Sequence, residues 1–141
     1  VLCAGRGTRL GDLTREVPKP MLSLGDRPLL AYLLAHLRQQ GWNDIALNLH
    51  FHGEQIVRAF GDVRRGEGLR DFFNGADVFL VQYGDVLTDQ DFRQLLARHR
   101  SHNALVTLLV HPRPRSNSVV VMDEATGRVT GFLERPTEAE R

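Results

Sequence analysis

An α/β fold is predicted for this 141-residue chain, with a mostly parallel, twisted sheet covered by helices on both faces. Stretches of helical periodicity alternate with short apolar runs, which is typical of such sheets. The hydrophobic fraction of 42% is enough to bury one sizeable core, so a single domain over residues 1–141 is expected. Lys and Arg number 18 against 17 Asp and Glu, so the composition gives no sign of nucleic acid or an anionic membrane as a partner.

The elements follow from periodicity and from glycine and proline punctuation. A helix is predicted from Pro28, with leucines at helical spacing until Gly41. Two more helices are predicted over 53–60 and 89–98, the last with acidic residues in its first turn. Predicted strands cover 1–4, 45–49, 78–82 and 104–110, and a final strand pair covers 119–122 and 129–133.

The two ends of the sequence and its single cysteine carry further expectations. The chain opens inside a predicted strand and closes on a charged tail after Pro136, so we expect it to be a fragment at both ends. Cys3 stands alone, which rules out a disulfide or a thiolate metal cage within one chain and favours a reducing, cytoplasmic compartment. Its simplest role is that of a small core residue.

A glycine-rich loop follows the first predicted strand. Gly5, Gly7 and Gly11 allow several backbone N–H groups to face one anion, and Arg6 and Arg9 add two guanidinium groups. On the glycines alone an ordinary tight turn is the alternative. The third glycine comes one residue late for a dinucleotide fingerprint, and no Lys-Ser or Lys-Thr pair closes the loop as a Walker A motif requires.

Two further features strengthen the interpretation of this loop as a phosphate site. Lys19 lies between Pro18 and Pro20, which fix the backbone on either side of it. Gly84 and Asp85 follow another predicted strand, and ligands of open α/β sheets bind beyond the carboxyl ends of strands. We therefore expect the loop and the aspartate to face one crevice, with the lysine beside the loop.

These motifs together resemble the sugar-1-phosphate nucleotidyltransferases. The residues that carry the resemblance are Gly5-Arg6-Gly7-Thr8-Arg9-Leu10, Val17-Pro18-Lys19-Pro20-Met21-Leu22, Asp26-Arg27-Pro28-Leu29-Leu30, Asn48-Leu49-His50, Gly84-Asp85-Val86-Leu87 and Gly131-Phe132-Leu133-Glu134-Arg135-Pro136. They span nearly the whole chain. The resemblance implies a Rossmann-like fold of the nucleotide-diphospho-sugar transferase type, and transfer of a nucleoside monophosphate from a nucleoside triphosphate to a sugar 1-phosphate with release of pyrophosphate.

The resemblance also implies roles for individual residues. The implied nucleotide-binding residues are Leu2, Ala4, Gly5, Gly7 and Thr8, the implied catalytic residues are Arg9, Lys19 and Asp85, and the implied sugar-phosphate ligands are Glu134 and Arg135. Asp85 would also bind Mg²⁺, the cofactor of the family.

The sequence departs from the family at several points. Arg135 replaces the family's lysine, and Tyr83 replaces its commoner asparagine. A glycine-rich loop that helps to bind base and sugar is missing near 62–68, and the second metal-binding carboxylate lies outside the chain. If 141 residues were the whole protein, little or no turnover would be expected.

The substrates are less determined than the reaction. The run from Tyr83 to Asp89 leans towards GTP with mannose- or heptose-1-phosphate, with a thymidylyl- or uridylyltransferase acting on glucose 1-phosphate as the alternative. A catalytically inactive regulatory homologue is a second alternative. A glycosyltransferase of similar fold ranks lower, because such enzymes usually present two acidic residues where this chain has Asp85 alone. A homo-oligomer is compatible with the sequence, and His50 with His52 is expected to be structural or solvated rather than a metal site.

Overall fold

The structure is a computed structural model that describes residues 1–5, 7–61, 72–113 and 116–138, with the Arg9 side chain outside this description. The chain divides into two compact units, Val1–Arg93 and Gln94–Arg141. The segment near 62–68, where a loop is predicted to be missing, lies outside the described residues. The single domain predicted from the length stays a prediction.

Two helices of the first unit match their predictions. Helix α1 spans Leu29–Gln39 and follows Pro28, whose extended backbone stands at the N-cap. Its buried side chains are Leu30, Leu33, Leu34 and Leu37, the spacing that places one stripe of a helix against a core. Helix α2 spans Gly53–Phe60 and contributes the buried Ile56.

Parallel pairing runs through the first predicted strand. Leu2 forms parallel bridges with Asn48 on one side and with Tyr83 on the other. The Leu2 amide donates to Gln82 O at 2.8 Å, and the Leu2 carbonyl accepts from the Gly84 amide at 2.9 Å. The first predicted strand therefore lies between two parallel segments, as a mostly parallel sheet requires. The pairing consists of isolated bridges rather than continuous ladders.

The loop region between the first strand and α1 is built from short elements. Two 3₁₀ helices span Thr8–Thr14 and Lys19–Met21. The two-residue strands β1 (Ser23–Leu24) and β2 (Arg27–Pro28) then pair antiparallel and lead directly into α1.

The second unit contains the strand pair predicted near the end of the chain. Strand β3 spans Ser118–Met122 and strand β4 spans Val129–Glu134, and they pair antiparallel with Val120 opposite Phe132. The turn between them is closed by the Gly127 amide, which donates to Asp123 O at 2.7 Å. This hairpin is confirmed.

The predicted strands 1–4, 45–49 and 78–82 form no continuous strand and are represented only by the bridged residues Leu2, Asn48 and Tyr83. Two further predicted elements are corrected. Segment 104–110 forms no strand, and Leu105 is fully exposed at 100%. An apolar run indicates a buried strand only if an edge is available to pair with it, and the run itself does not specify that edge. Helix α3 spans Phe92–Ser101 rather than 89–98, and no acidic residue lies in its first turn. Asp91 sets its start instead, because its carboxylate accepts the Arg93 amide at 2.9 Å.

The predicted fold class holds at the level of α/β, but both continuous sheets in the described residues are antiparallel. No helix in the described part of the chain is long and apolar enough to cross a membrane.

Candidate active site

Two of the predicted catalytic residues meet in the first unit. The Lys19 ammonium lies 2.7 Å from Asp85 Oδ2, although the two residues are 66 positions apart in the sequence. The side chains are partly exposed, at 37% and 35%. An ion pair this open stabilises the fold by about 1 kcal/mol or less, so an incoming phosphate or cation can compete with it at low cost.

The position of Lys19 follows from the prolines around it. Pro18 and Pro20 are both fully buried, whereas Lys19 between them is half-buried. A 3₁₀ turn holds the segment, with the Met21 amide donating to Pro18 O at 2.7 Å and the Leu22 amide to Lys19 O at 3.2 Å. Because the prolines on both sides are buried, the backbone at Lys19 is fixed, and only the lysine side chain extends out of the core.

The position of Asp85 follows from close packing at Gly84. A Cβ atom on Gly84 would lie 2.6 Å from Cys3 Sγ, 3.0 Å from Leu2 O and 3.4 Å from Pro20 Cγ. Only a residue without a side chain fits there, so glycine lets the 82–85 segment lie directly against the first strand and the buried proline. Asp85 therefore directly follows a tightly packed group formed by Cys3, Pro20 and Gly84, which we call the packed floor.

The Cys3 thiol belongs to this floor. It is buried, and burial raises the pKa of the thiol to about 11, with the nearby Asp85 carboxylate also raising it. A thiol with this pKa is protonated at neutral pH. The interpretation of Cys3 as a small core residue is thus supported, and it offers no thiolate to a metal.

The glycine-rich loop packs against Thr14. Gly7 stands at the N-cap of the first 3₁₀ helix in the left-handed region (φ 65°), which favours glycine. The Leu10 amide donates to Gly7 O at 2.9 Å, and the Thr14 hydroxyl donates to the same carbonyl at 2.9 Å. Gly7 is half-buried and Thr8 is exposed. The predicted role of Arg9 falls on a side chain outside the described atoms.

The other implied nucleotide-binding residues lie just before this loop. Both backbone groups of Leu2 are hydrogen-bonded to segment 82–84, and its side chain is partly exposed. The role of Leu2 in nucleotide binding stays a prediction. The backbone groups of Ala4 and Gly5 have no hydrogen-bond partner among the described residues and remain available.

The implied sugar-phosphate ligands lie in the second unit. Glu134 is the last residue of β4 and pairs with Ser118. Arg135 follows in the left-handed region (φ 52°), and its amide donates to Asn117 O. Both residues are exposed, and Pro136 after them is buried.

The residues around Asp85 fit a magnesium ion better than a softer metal. Asp85 Oδ2 is engaged by Lys19, and Oδ1 has no hydrogen bond or ion pair to any described residue. No group of three His, Cys, Asp or Glu that could hold a metal exists in the described part of the chain. Mg²⁺ is usually held by one or two carboxylates together with substrate phosphates, so a single open carboxylate oxygen suits it.

Two contacts that support the site were not predicted from the sequence, although Asn48 belongs to a motif that carries the resemblance. Thr14 is buried under the loop, and the Asn48 side chain accepts the Cys3 amide at 2.8 Å beside the first strand. Thr and Asn often hydrogen-bond to nearby backbone in loops, which is the signal that would have found Thr14. The Asn48 contact spans 45 residues and has no local signal.

Comparison with known proteins places this chain in a family. Residues 1–135 match the model of the MobA-like NTP transferase domain. A UTP–glucose-1-phosphate uridylyltransferase from Synechocystis sp. is 30% identical over 99% of this chain and 44% of its own length. A probable mannose-1-phosphate guanylyltransferase 1 from Oryza sativa subsp. japonica and the mannose-1-phosphate guanylyltransferase 1 of Arabidopsis thaliana are each 28% identical, over 96% of this chain and 44% of their own lengths.

The chain thus spans less than half the length of the curated relatives that it matches. The motifs that carry the predicted resemblance lie within the matched residues, apart from the last position of the final motif, Pro136. The chain therefore belongs to the MobA-like NTP transferase domain family, and the predicted membership among the sugar-1-phosphate nucleotidyltransferases is confirmed.

Proposed function

We propose that this chain is the nucleotide-binding core of an enzyme that transfers a nucleoside monophosphate to a sugar 1-phosphate. The observation that carries the proposal is the 2.7 Å contact between Lys19 Nζ and Asp85 Oδ2 beside the glycine-rich loop. A cation for phosphate and a carboxylate for a metal are held together, as transfer of a phosphoryl group requires. The finer fold that goes with this function is a Rossmann-like sheet, which the parallel bridges of Leu2 support.

In the proposed reaction a phosphate oxygen of the sugar 1-phosphate attacks the α-phosphorus of the nucleotide. The bond from that phosphorus to the oxygen bridging it to the β-phosphorus breaks, and pyrophosphate leaves with the electron pair. Arg9 and Lys19 neutralise the charge that builds on the leaving group. Removing one such cation costs about 3 kcal/mol of barrier, or about a hundredfold in rate.

Asp85 would hold Mg²⁺, which supplies further charge neutralisation at the phosphate oxygens when bound. In the free chain Lys19 occupies one of the two Asp85 oxygens. A triphosphate that draws Lys19 away exposes the whole carboxylate. Nucleotide and metal binding should therefore favour one another.

The proposed substrates are GTP with mannose- or heptose-1-phosphate, and two guanylyltransferase relatives support this choice. The uridylyltransferase relative supports the alternative, a uridylyl- or thymidylyltransferase acting on glucose 1-phosphate. Glu134 and Arg135 are proposed to bind the sugar phosphate, where the planar guanidinium offers a bidentate contact in place of the family's ammonium.

We also propose that a base-binding loop is shortened near 62–68. The alignment with the Synechocystis relative runs over 175 residues, whereas this chain has 141. Extra residues of the relative inside the matched region support the proposal.

Pyrophosphate release tests the reaction. The protein as its gene encodes it is incubated with Mg²⁺, each of the four common ribonucleoside triphosphates or dTTP, and a panel of hexose and heptose 1-phosphates. Release with one matched pair, strongest for GTP with mannose- or heptose-1-phosphate, is expected. No release across the panel would overturn the proposal. Nucleotide binding by calorimetry with no product would favour a regulatory homologue.

A further inference from the structure

Thr14 is the one polar side chain that is buried among the described residues, at 3% exposure. It lies at the end of the first 3₁₀ helix, under the loop that begins at Gly7. A buried hydroxyl costs free energy unless it is hydrogen-bonded, so its partners are informative.

The partners of Thr14 are carbonyl oxygens of the loop itself. Its Oγ1 donates to Gly7 O at 2.9 Å and lies 3.4 Å from Gly11 O. The methyl group also contacts the loop, since a Cβ on Gly7 would lie 3.1 Å from Thr14 Cγ2 and 3.3 Å from Lys19 Cβ. Thr14 thus holds Gly7 by its hydroxyl, and its methyl group, together with Lys19 Cβ, leaves no room for a side chain at Gly7.

The direction of one carbonyl fixes the direction of the next N–H. A peptide unit is planar and trans, so its C=O and N–H point to opposite sides. Because the Gly7 carbonyl points down to Thr14 and also accepts the Leu10 amide, the Thr8 N–H points away from Thr14. Thr8 opens the 3₁₀ helix, and a first helical N–H has no partner within its own helix.

We propose that Thr14 is a positioning residue, whose hydroxyl pins the Gly7 carbonyl inward so that the Thr8 N–H is presented to a phosphate of the bound nucleoside triphosphate. This inference rests on the proposed function. It assigns Thr14 no contact with the substrate. Its effect passes through the single peptide unit between Gly7 and Thr8.

Two substitutions separate the hydroxyl from the methyl group. Thr14→Val keeps the branched shape and removes the hydroxyl, while Thr14→Ser keeps the hydroxyl and removes the methyl. Calorimetric titration with GTP and Mg²⁺, and with UTP as the second nucleotide, is expected to give about tenfold weaker binding for T14V and near-unchanged binding for T14S. Thr126→Val is the matched control, because the Thr126 hydroxyl donates to Asp123 at 2.7 Å in the second unit.

A second measurement keeps the inference testable if T14V does not fold. In ¹H–¹⁵N spectra of the labelled chain, the Thr8 amide is expected to shift on nucleotide addition in the wild type and in T14S. A Thr8 amide that nucleotide leaves unmoved overturns the inference, as does T14V binding equal to wild type.

The two proposals fail in different ways. A wild-type chain that binds neither nucleotide overturns the proposed function and the role of Thr14 with it. If the wild type binds nucleotide and both Thr14 variants bind it equally well, only the role of Thr14 is overturned.

Discussion

The first unit and the second unit hold their proposed ligand residues in different ways. Lys19 and Asp85 come from positions 66 residues apart and meet at 2.7 Å, next to buried prolines and a glycine with no room for a side chain. Glu134 and Arg135 are sequence neighbours at the exposed end of a hairpin, and their side chains make no hydrogen bond or ion pair with any described residue.

This difference predicts which ligand residues are held in place before a substrate binds. The Lys19–Asp85 pair is formed before any substrate arrives, so changes of charge or volume around it should be costly. The side chains of Glu134 and Arg135 have freedom that a ligand must still remove, which costs entropy on binding. Substitutions there should affect sugar-phosphate affinity more than turnover.

The largest effect is expected for Lys19→Met, which removes the cation of the prebuilt pair. Turnover should fall about hundredfold, because charge on the leaving pyrophosphate loses one neutralising group. Arg15→Met is the control: Arg15 lies in the same loop region but pairs with the exposed Asp12 at 2.9 Å. Steady-state pyrophosphate release measures both variants, and equal losses would contradict the distinction between the two cations.

The next effect is the pH dependence of the unfolding free energy, which is expected to come from the buried Cys3 thiol. The folded-state pKa of Cys3 is raised from 9.0 to about 11, so the neutral thiol stabilises the fold fully below pH 9. That stability is lost as pH rises towards 11, and at ~1.4 kcal/mol per pKa unit the unfolding free energy should fall by about 2 to 3 kcal/mol. Urea unfolding between pH 8 and pH 11 measures the fall. Cys3→Ala should flatten it, and an unchanged slope in that variant would refute the assignment.

A smaller effect compares one glycine from each unit. Gly84→Ala places a Cβ 2.6 Å from Cys3 Sγ and should destabilise the chain by about 1 to 3 kcal/mol through overpacking. Gly131→Ala in the hairpin meets Val121 atoms no nearer than 3.5 Å and should be nearly neutral. Thermal unfolding measures both. Adding Cys3→Ala to Gly84→Ala should restore part of the loss, and no recovery would show that the sulfur contact is not the cause.

The smallest effect is expected at the hairpin end. Arg135→Lys restores the family's residue and should change KM for the sugar 1-phosphate by about threefold with kcat unchanged, since an exposed side chain can readjust. Initial rates at varied sugar 1-phosphate check this. A loss of kcat comparable to that of Lys19→Met would erase the difference between the two regions.

Much of this fold is readable from local signals. Helix α1 follows from leucines at helical spacing, helix α2 from the glycines at 53 and 61, and the β3–β4 hairpin from its turn. Each of these signals lies within the element that it predicts or directly beside it. The predicted start of α3 was wrong because the helix begins where the Asp91 carboxylate accepts the Arg93 amide, and this one contact decides the boundary.

Long-range features were less readable. Segment 104–110 has the composition of a buried strand, but composition does not supply a partner. The glycine-rich loop and Asp85 were expected at one edge because parallel strands end there, and the resemblance assigned Lys19 and Asp85 to one reaction. Their direct 2.7 Å contact was not predicted. The fit of Gly84 against Cys3 depends on distances that no sequence pattern encodes.

The central claim is that Asp85, paired with Lys19 in the free chain, becomes the metal ligand when a nucleotide binds. Calorimetric titration of GTP with and without Mg²⁺, in the wild type and in Asp85→Asn, tests it most directly. Mg²⁺ should tighten GTP binding to the wild type about tenfold or more. In D85N that gain should vanish, while binding without metal should be at least as tight as in the wild type because Lys19 is released from its partner. An equal gain from Mg²⁺ in both proteins would contradict the claim.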